Sequence, residues 1–475
     1  MNPIRKFLGQ TAIYGLSTIV GRLLNFLLVP LYVSLFPAEE YGKVSYLYAL
    51  VVFLIVVLTY GMETTFFRFR ERDEDQVKVF STGAWSLVFT SSIFLAIALL
   101  FSGPIAAAVN LPDHPEYIRW FAWILALDAV VALPFARLRA EGKAFRFALV
   151  KLTNIGLNIG FNLLFLLVKV FYDPEVGIGY IFISNLIASA ITFLLLLPEA
   201  RGLAAGFSTS LWKRMIRYSW PLMIAGLASA VNEVADRQIM NFVLPEVEAF
   251  RQIGIYGACY KLSILLTLFI QAYRYGAEPF FFAKAKELDA RETYAELMNL
   301  FVIVTSLIFV GLNLFIDPIS HIFIPNPEYY EGLHIVPVLL LANLFLGVYI
   351  NLSIWYKLSD KTLYGAIISI VGAAITIALN LWAIPIYGYT AAAWVTLIAY
   401  GTMMVVSLLW GHKAYPIPYD FKRLFGYLLL AIGIVWLGQR FDNESLPLNI
   451  ALFLIFGAIL AIFEYRYIRR WVKKS

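Results

Sequence analysis

The 475-residue chain is short of charge. Asp, Glu, Lys and Arg make up 14% of it and hydrophobic residues 61%, whereas soluble domains are about a quarter charged. That composition excludes an ordinary soluble enzyme and indicates a polytopic membrane protein. Cysteine is nearly absent. With Cys259 alone, no internal disulfide and no cysteine-based metal site can form. The four histidines, His114, His321, His334 and His412, are scattered, and none has metal-ligand spacing. There is no Walker-type phosphate loop, no dinucleotide fingerprint and no His/Asp grouping in an outside loop, which disfavours ATP-driven work by this chain. A net charge of +6 says little about nucleic acid, because excess Lys and Arg in a membrane chain reports topology. No cleavable signal is expected: Arg5 and Lys6 precede an apolar run over 9–36 that is too long for one.

What is present is a succession of apolar runs long enough to cross a bilayer. They predict an all-α integral membrane protein of about fourteen spans: 9–36, 41–64, 79–103, 117–137, 147–171, 177–197, 216–244, 254–280, 295–316, 333–356, 362–384, 388–410, 423–439 and 447–464. The loops are short, so no separate soluble domain is expected. With both termini cytoplasmic, the outside loops and helix ends hold only Lys43, Arg119, Lys169, Arg251 and Arg440, and the inside loops and termini hold most other cations. This bias favours N-in and C-in and an even number of spans.

Five cations remain within predicted spans: Arg22, Lys151, Arg237, Lys261 and Arg274. A charge at the bilayer centre costs roughly 2.5–3.5 kcal/mol on insertion scales, and such residues face a bundle interior or a watery cavity. The seventh span concentrates them. Between Trp220 and Leu244 it carries Asn232, Glu233, Asp236, Arg237, Gln238 and Asn241. Glu233 and Arg237 stand at i,i+4, the better orientation for a helical ion pair, and Asn232 and Asp236 form a second such pair. Together these residues predict one polar flank on an otherwise apolar helix.

The chain also repeats. A shift of 215 residues lays the second span on the eighth with ten identities in 27 ungapped positions. Tyr41-Gly42 meets Tyr256-Gly257, Tyr60-Gly61 meets Tyr275-Gly276, Glu63 meets Glu278, and Phe66-Phe67 meets Phe281-Phe282. Six spans is an even shift, so the halves keep one orientation, as in parallel repeats that enclose a midplane cleft and rock for alternating access. The expected division is 1–200, 201–412, and 413–475 with two extra spans and a basic tail. Counting at about 1.5 Å per residue from the outer turn near residue 248 puts Asp236, Arg237 and Lys261 at one depth, with Arg22 close to it in the first span.

Each charged motif has two readings. Asn232, Glu233, Asp236, Arg237 and Lys261, with Asn241, either line a substrate- or ion-binding cavity or form a self-neutralising lock. Arg22, with Asn25 as its nearest polar neighbour, either meets a mobile anion such as phosphate, which the planar Arg fork suits, or pairs with Glu63 or Glu233. Arg274 and Glu278 are a gate or a plain interfacial pair. Asn154, Asn158 and Asn162, on one stripe after Lys151, are interhelical glue or a cavity wall whose amides suit sugar hydroxyls.

Several stretches resemble the polysaccharide and oligosaccharide flippases, of the superfamily that also holds multidrug exporters and lipid II flippases. They are Trp220-Pro221 with Asn232, Asp236-Arg237 and Met240; Gly254-Ile-Tyr-Gly-Ala-Cys-Tyr-Lys261; Ala277-Glu-Pro-Phe-Phe-Phe282; Val336-Pro-Val-Leu-Leu-Leu-Ala-Asn343; Tyr349 to Lys361; and Phe36-Pro to Tyr41-Gly42. The resemblance covers most of the chain. It implies two lobes around a cationic cavity and a monomeric, multi-pass protein of the bacterial inner membrane. It also implies ion-coupled flipping of an undecaprenyl-pyrophosphate-linked oligosaccharide to the periplasmic leaflet. No cofactor is expected beyond a coupling cation, H+ or Na+. In that picture Arg22, Arg237 and Lys261 meet the diphosphate, Glu63, Arg274 and Glu278 gate, and Asn154 and Asn158 contact glycan. The acids Glu233 and Asp236 depart from a purely cationic cavity and leave open a cation-coupled drug or metabolite antiporter of the same fold. A membrane glycosyltransferase would want a substantial outside loop bearing carboxylates or histidine, and none is present.

Overall fold

The structure, a computed structural model, describes residues 20–21, 23–24, 26–72, 75–168, 170–285, 287–359, 361–441 and 445–472. Among them there is no strand. The first half runs α1 (Val29–Leu35), α2 (Ala38–Thr59), α3 (Met62–Arg72), α4 (Gln76–Leu100), α5 (Ser102–Ala108), α6 (Pro115–Ala140), α7 (Ala144–Leu167) and α8 (Gly179–Leu196), then a 3-10 segment, Leu197–Ala205. The second half runs α9 (Thr209–Val243), α10 (Glu246–Lys284), α11 (Ala290–Leu314), α12 (Ile316–Phe323), a 3-10 segment over Pro327–Ile335, α13 (Val336–Leu352), α14 (Ile354–Leu358), α15 (Thr362–Tyr387), α16 (Tyr389–Ala414), α17 (Phe421–Phe441) and α18 (Leu446–Val472).

Twelve helical stretches among the described residues are long and apolar enough to cross a membrane. They correspond to the second to sixth and eighth to fourteenth predicted spans. The first part of the first predicted span, 9–19, and Arg22 and Asn25 lie outside the described residues. The seventh, α9, is 35 residues long but is not among the twelve. Its polar middle, Asn232–Asn241, is what sets it apart. Large apolar side chains such as Phe89, Leu100, Trp382, Leu429 and Ile462 point outward. On a chain of this composition they form the lipid-facing surface.

Local chemistry sets the helix ends. Asp75 caps α4, accepting a hydrogen bond from the Lys78 amide at 2.9 Å, and Ser208 caps α9 through the Leu211 amide at 3.4 Å. Glu39 and Glu40 occupy the first turn of α2, where the helix dipole favours acids. Tyr60 and Gly61 adopt left-handed backbone, φ +34° and +70°, and separate α2 from α3. Their repeat counterparts, Tyr275 and Gly276, lie inside unbroken α10.

The chain packs as two compact units. One holds the chain up to Gly254 together with Thr376–Tyr389; the other holds Ile255–Ile375 and the chain from Thr390 onward. The boundaries therefore fall inside α10 and α15 and at the start of α16. In the first unit α2, α3, α4, α6 and α9 meet around Met62, Phe66, Phe80, Leu87, Leu133 and Met215. In the second, α10, α11 and α14 meet around Ala277, Phe281, Tyr294 and Ile354. Met62 and Ala277, and Phe66 and Phe281, are equivalent under the 215-residue shift, so the repeat places matching core residues in each unit. The C-terminal α17 packs on α11, with Gly438 against Leu314.

Candidate functional site: the polar flank of the seventh span

Helix α9 packs on α2, α3 and α4. Four of its polar residues are buried: Asn232, Asp236, Arg237 and Asn241 retain 8%, 4%, 6% and 4% exposure. Each has a protein partner. Arg237 Nη1 lies 3.2 Å from Asp236 Oδ1, which also accepts the Arg237 backbone N–H at 2.7 Å. Thr376 of α15 donates to Asn232 Oδ1 at 3.3 Å. Gln238 donates to the Tyr46 carbonyl of α2 at 3.3 Å. Asn241 donates to the Val109 carbonyl at 3.2 Å, and its own carbonyl accepts from Asn110 at 3.0 Å. Asn110 holds left-handed backbone, φ +61°, as asparagine tolerates.

The ion pair differs from the one that spacing predicts. Arg237 turns to Asp236 and to the backbone carbonyl of Glu233 at 3.4 Å. The Glu233 side chain is exposed and has no ion pair among the described residues. The reason is burial: two charges removed from solvent must satisfy each other at short range, and Glu233 faces the open side of the helix. The acid–base pair is thus shut in, with a second acid one turn away at the surface. Lys261 is half-buried on α10 and belongs to the second unit, whereas Arg237 belongs to the first.

The residues expected to gate have partners that sequence reading missed. Glu63 of α3 is bonded by Arg139 at the end of α6. Glu278 of α10 takes Arg274 at 3.3 Å and is also bonded by Lys357 of α14. A shift of 215 carries position 139 to 354, one turn before Lys357. Equivalent carboxylates therefore clasp cations from equivalent spans, one pair inside each unit. The predicted i,i+4 pair, Arg274–Glu278, is present, but it is the more exposed half of a three-residue cluster.

The asparagine stripe on α7 is engaged. Asn154 donates to Thr192 of α8 at 2.8 Å. Asn162 accepts from the Tyr32 hydroxyl of α1 at 2.9 Å and donates to Asn158 Oδ1 at 3.2 Å. Above it lies a cluster that the sequence did not suggest. Asp128 of α6 accepts from Ser189 of α8 and faces Lys151, whose ammonium sits 4.4 Å over the Phe135 ring. A single acid in span four carried no pattern; only packing brings it to Lys151. Among the described residues no group of His, Cys, Asp and Glu could hold a metal through those residue types alone.

A lipid II flippase, MurJ in its inward closed conformation, has a similar fold: TM-score 0.74 at 17% identity, covering 95% of this chain and 99% of that one. An inward-facing multidrug resistance transporter of the MATE family, in the MOP superfamily, gives 0.68 at 13% identity, covering 86% and 96%. A MATE transporter from Vibrio cholerae gives 0.55 at 13% identity, covering 88% and 96%. No curated protein matches the sequence. The profile of the polysaccharide biosynthesis protein family matches residues 7–277, over half of the chain. A membrane-spanning chain with two helical units, a buried charge pair on its most polar helix, this profile match and a fold shared with those transporters belongs to the polysaccharide biosynthesis protein family.

Proposed function

We infer that the protein is a flippase that carries an undecaprenyl-pyrophosphate-linked oligosaccharide from the cytoplasmic to the periplasmic leaflet of a bacterial inner membrane. It works by alternating access, coupled to an ion. The observation that carries this reading is the buried Asp236–Arg237 pair on α9 in a chain of this family. A charge pair is costly at that depth, and intramembrane ionisable groups are functional candidates by default. Arg237, with Lys261 and Arg22, supplies cations for the diphosphate, because a guanidinium binds phosphate oxygens bidentately. The amides of Asn232, Asn241, Asn154 and Asn158 offer donors and acceptors for sugar hydroxyls, and the prenyl chain stays in lipid. Glu63, Arg274 and Glu278 gate the cytoplasmic side, and the protein acts as a monomer with both termini cytoplasmic.

Deleting the gene tests this. The expected result is loss of a surface polysaccharide with build-up of its lipid-linked repeat unit on the cytoplasmic face. Arg22→Ala and Arg237→Ala should abolish complementation while the protein remains in the membrane. Normal complementation by both removes the diphosphate assignment. A second reading, a cation-coupled exporter of small molecules, draws on the internal neutrality of Asp236–Arg237. It is favoured if deletion changes the export of cationic dyes and leaves the glycan intact.

A further inference from the structure

Helix α3 carries more guanidinium donors than its surroundings accept. At 22 residues α2 is long enough to cross a bilayer by itself, so α3 lies beyond the hydrocarbon. Its last turns, Phe66-Phe-Arg-Phe-Arg-Glu-Arg72, follow the break at Tyr60–Gly61, and α3 packs on α9. The Arg68 guanidinium lies 4.0 Å over the Tyr218 ring of α9, and that of Arg214 lies 5.9 Å from the Phe69 ring. The two rings are 6.3 Å apart, so arginines and aromatics alternate across the contact. On the other side of α3, Arg70 lies over Phe66 and donates from Nε to Gln76 at 3.2 Å, while its Nη1 is buried with no partner among the described residues. Neither Arg68 nor Arg70 has an ion pair among the described residues. The acids of this stretch do not neutralise them. Glu63 is held by Arg139, Asp75 accepts the Lys78 amide, and Glu71 is exposed with no ion pair among the described residues.

The internal repeat supplies a comparison. Phe66-Phe67 meets Phe281-Phe282 under the 215-residue shift, and there the likeness stops: Arg68, Arg70 and Arg72 meet Ala283, Ala285 and Glu287. The second unit does carry a cation at this turn, Lys284, but it pairs with Glu287 at 2.5 Å and lies 3.6 Å from Asp289. One unit neutralises the turn within itself. The other keeps guanidinium donors without acids, and buried donors in that condition point to an acceptor at the site.

Depth and chemistry select the acceptor. Along α9, Trp212 and the exposed Trp220 bracket Arg214 and Tyr218, and Lys213, Arg214 and Arg217 are exposed between them. Tryptophan marks the headgroup level of a bilayer, so these cations stand among lipid headgroups. A guanidinium held over a ring keeps a planar fork of N–H donors, which fits two oxygens of a phosphate. We propose that Arg68 and Arg214 bind the phosphate of an anionic phospholipid, fastening the first unit to the headgroup layer where α3 meets the start of α9. The second unit has no such tie at the equivalent turn. This site lies at the end of α9 away from Asn232–Asn241, and it does not rest on the flippase reading.

The test is amide exchange of the full-length protein in nanodiscs of phosphatidylcholine, with and without phosphatidylglycerol. Phosphatidylglycerol should slow exchange over 66–72 and 209–218 several-fold and leave 281–289 unchanged. Arg68→Gln with Arg214→Gln should abolish that protection. Arg68→Lys, which keeps the charge and spares the fold, should reduce it, because an ammonium lacks the fork. Lys284→Gln should leave it intact. Inorganic phosphate added to phosphatidylcholine discs should give no protection. Equal wild-type exchange in the two kinds of disc overturns the site. So does full protection in the double glutamine variant, or equal slowing over 281–289, which would report surface charge alone. Full protection by inorganic phosphate overturns the lipid as occupant and assigns the arginines to a soluble anion.

Discussion

Asp236 and Arg237 hold each other in a place where neither could remain alone. Their side chains are 6% and 7% exposed. Removing one member of a buried pair strands the other, at a cost of about 3–5 kcal/mol. Asp236→Asn and Arg237→Gln should therefore each lower the unfolding midpoint strongly. The double variant should recover part of the loss, because it strands no charge. Equal midpoints for single variants and wild type would show that the pair is not shut away from water. At the turn after α6 the arithmetic is different. Burial alone would raise the Glu141 carboxyl, but Lys143 at 2.6 Å and Arg137 at 2.7 Å outweigh it and hold it below its ordinary range. A depressed carboxyl contributes stability above its unfolded value, about 4.3, and loses it as pH falls through the folded one. Amide exchange over 138–144 should accelerate on acidification below about pH 4.3, and Glu141→Gln should remove that dependence.

Between elements, close approach matters more than charge. A Cβ at Gly42 would lie 1.8 Å from the Phe250 carbonyl oxygen, and one at Gly254 would lie 1.8 Å from that of Ala38. The start of α2 and the start of α10 thus meet backbone to backbone, the contact that small residues permit between membrane helices. Backbone cannot move aside as a side chain can. Gly42→Ala and Gly254→Ala should each cost at least the roughly 1–3 kcal/mol of overpacking. Gly103→Ala and Gly426→Ala, with nothing within 4 Å, are the controls. The paired clasps Glu63–Arg139 and Glu278–Lys357 behave otherwise. Their side chains are 27–44% exposed, and pairs of that kind contribute about 0–1 kcal/mol. Glu63→Gln with Glu278→Gln should barely shift the midpoint. If the clasps gate, the same double variant fails to complement, so normal complementation would leave them as ties within each unit.

At the scale of the molecule, composition and period decided the class. A low charge fraction and runs of twenty or more apolar residues leave helices as the only backbone that satisfies itself in lipid, and the second to sixth and eighth to fourteenth predicted spans appear where hydropathy put them. The repeat was legible because Tyr-Gly, Glu and Phe-Phe recur in order, and Phe66 and Phe281 fill matching cores. A reporter fused after Ser475 should read out as cytoplasmic if Lys and Arg bias sets the topology; a periplasmic readout would reverse it. The candidate site was legible only as a list of polar residues on one helix. Helical spacing offered Glu233 to Arg237, but which face of α9 is buried depends on α2, α3, α4 and α15, and that burial transferred the pair to Asp236. Asp128 with Lys151, and Asn232 with Thr376, join residues distant in sequence through packing alone. The sequence by itself determined what could not face lipid, since that cost belongs to each side chain. Tertiary structure decided what each of those side chains faces instead, because a partner across a helix contact is a property of two surfaces and is written in neither one.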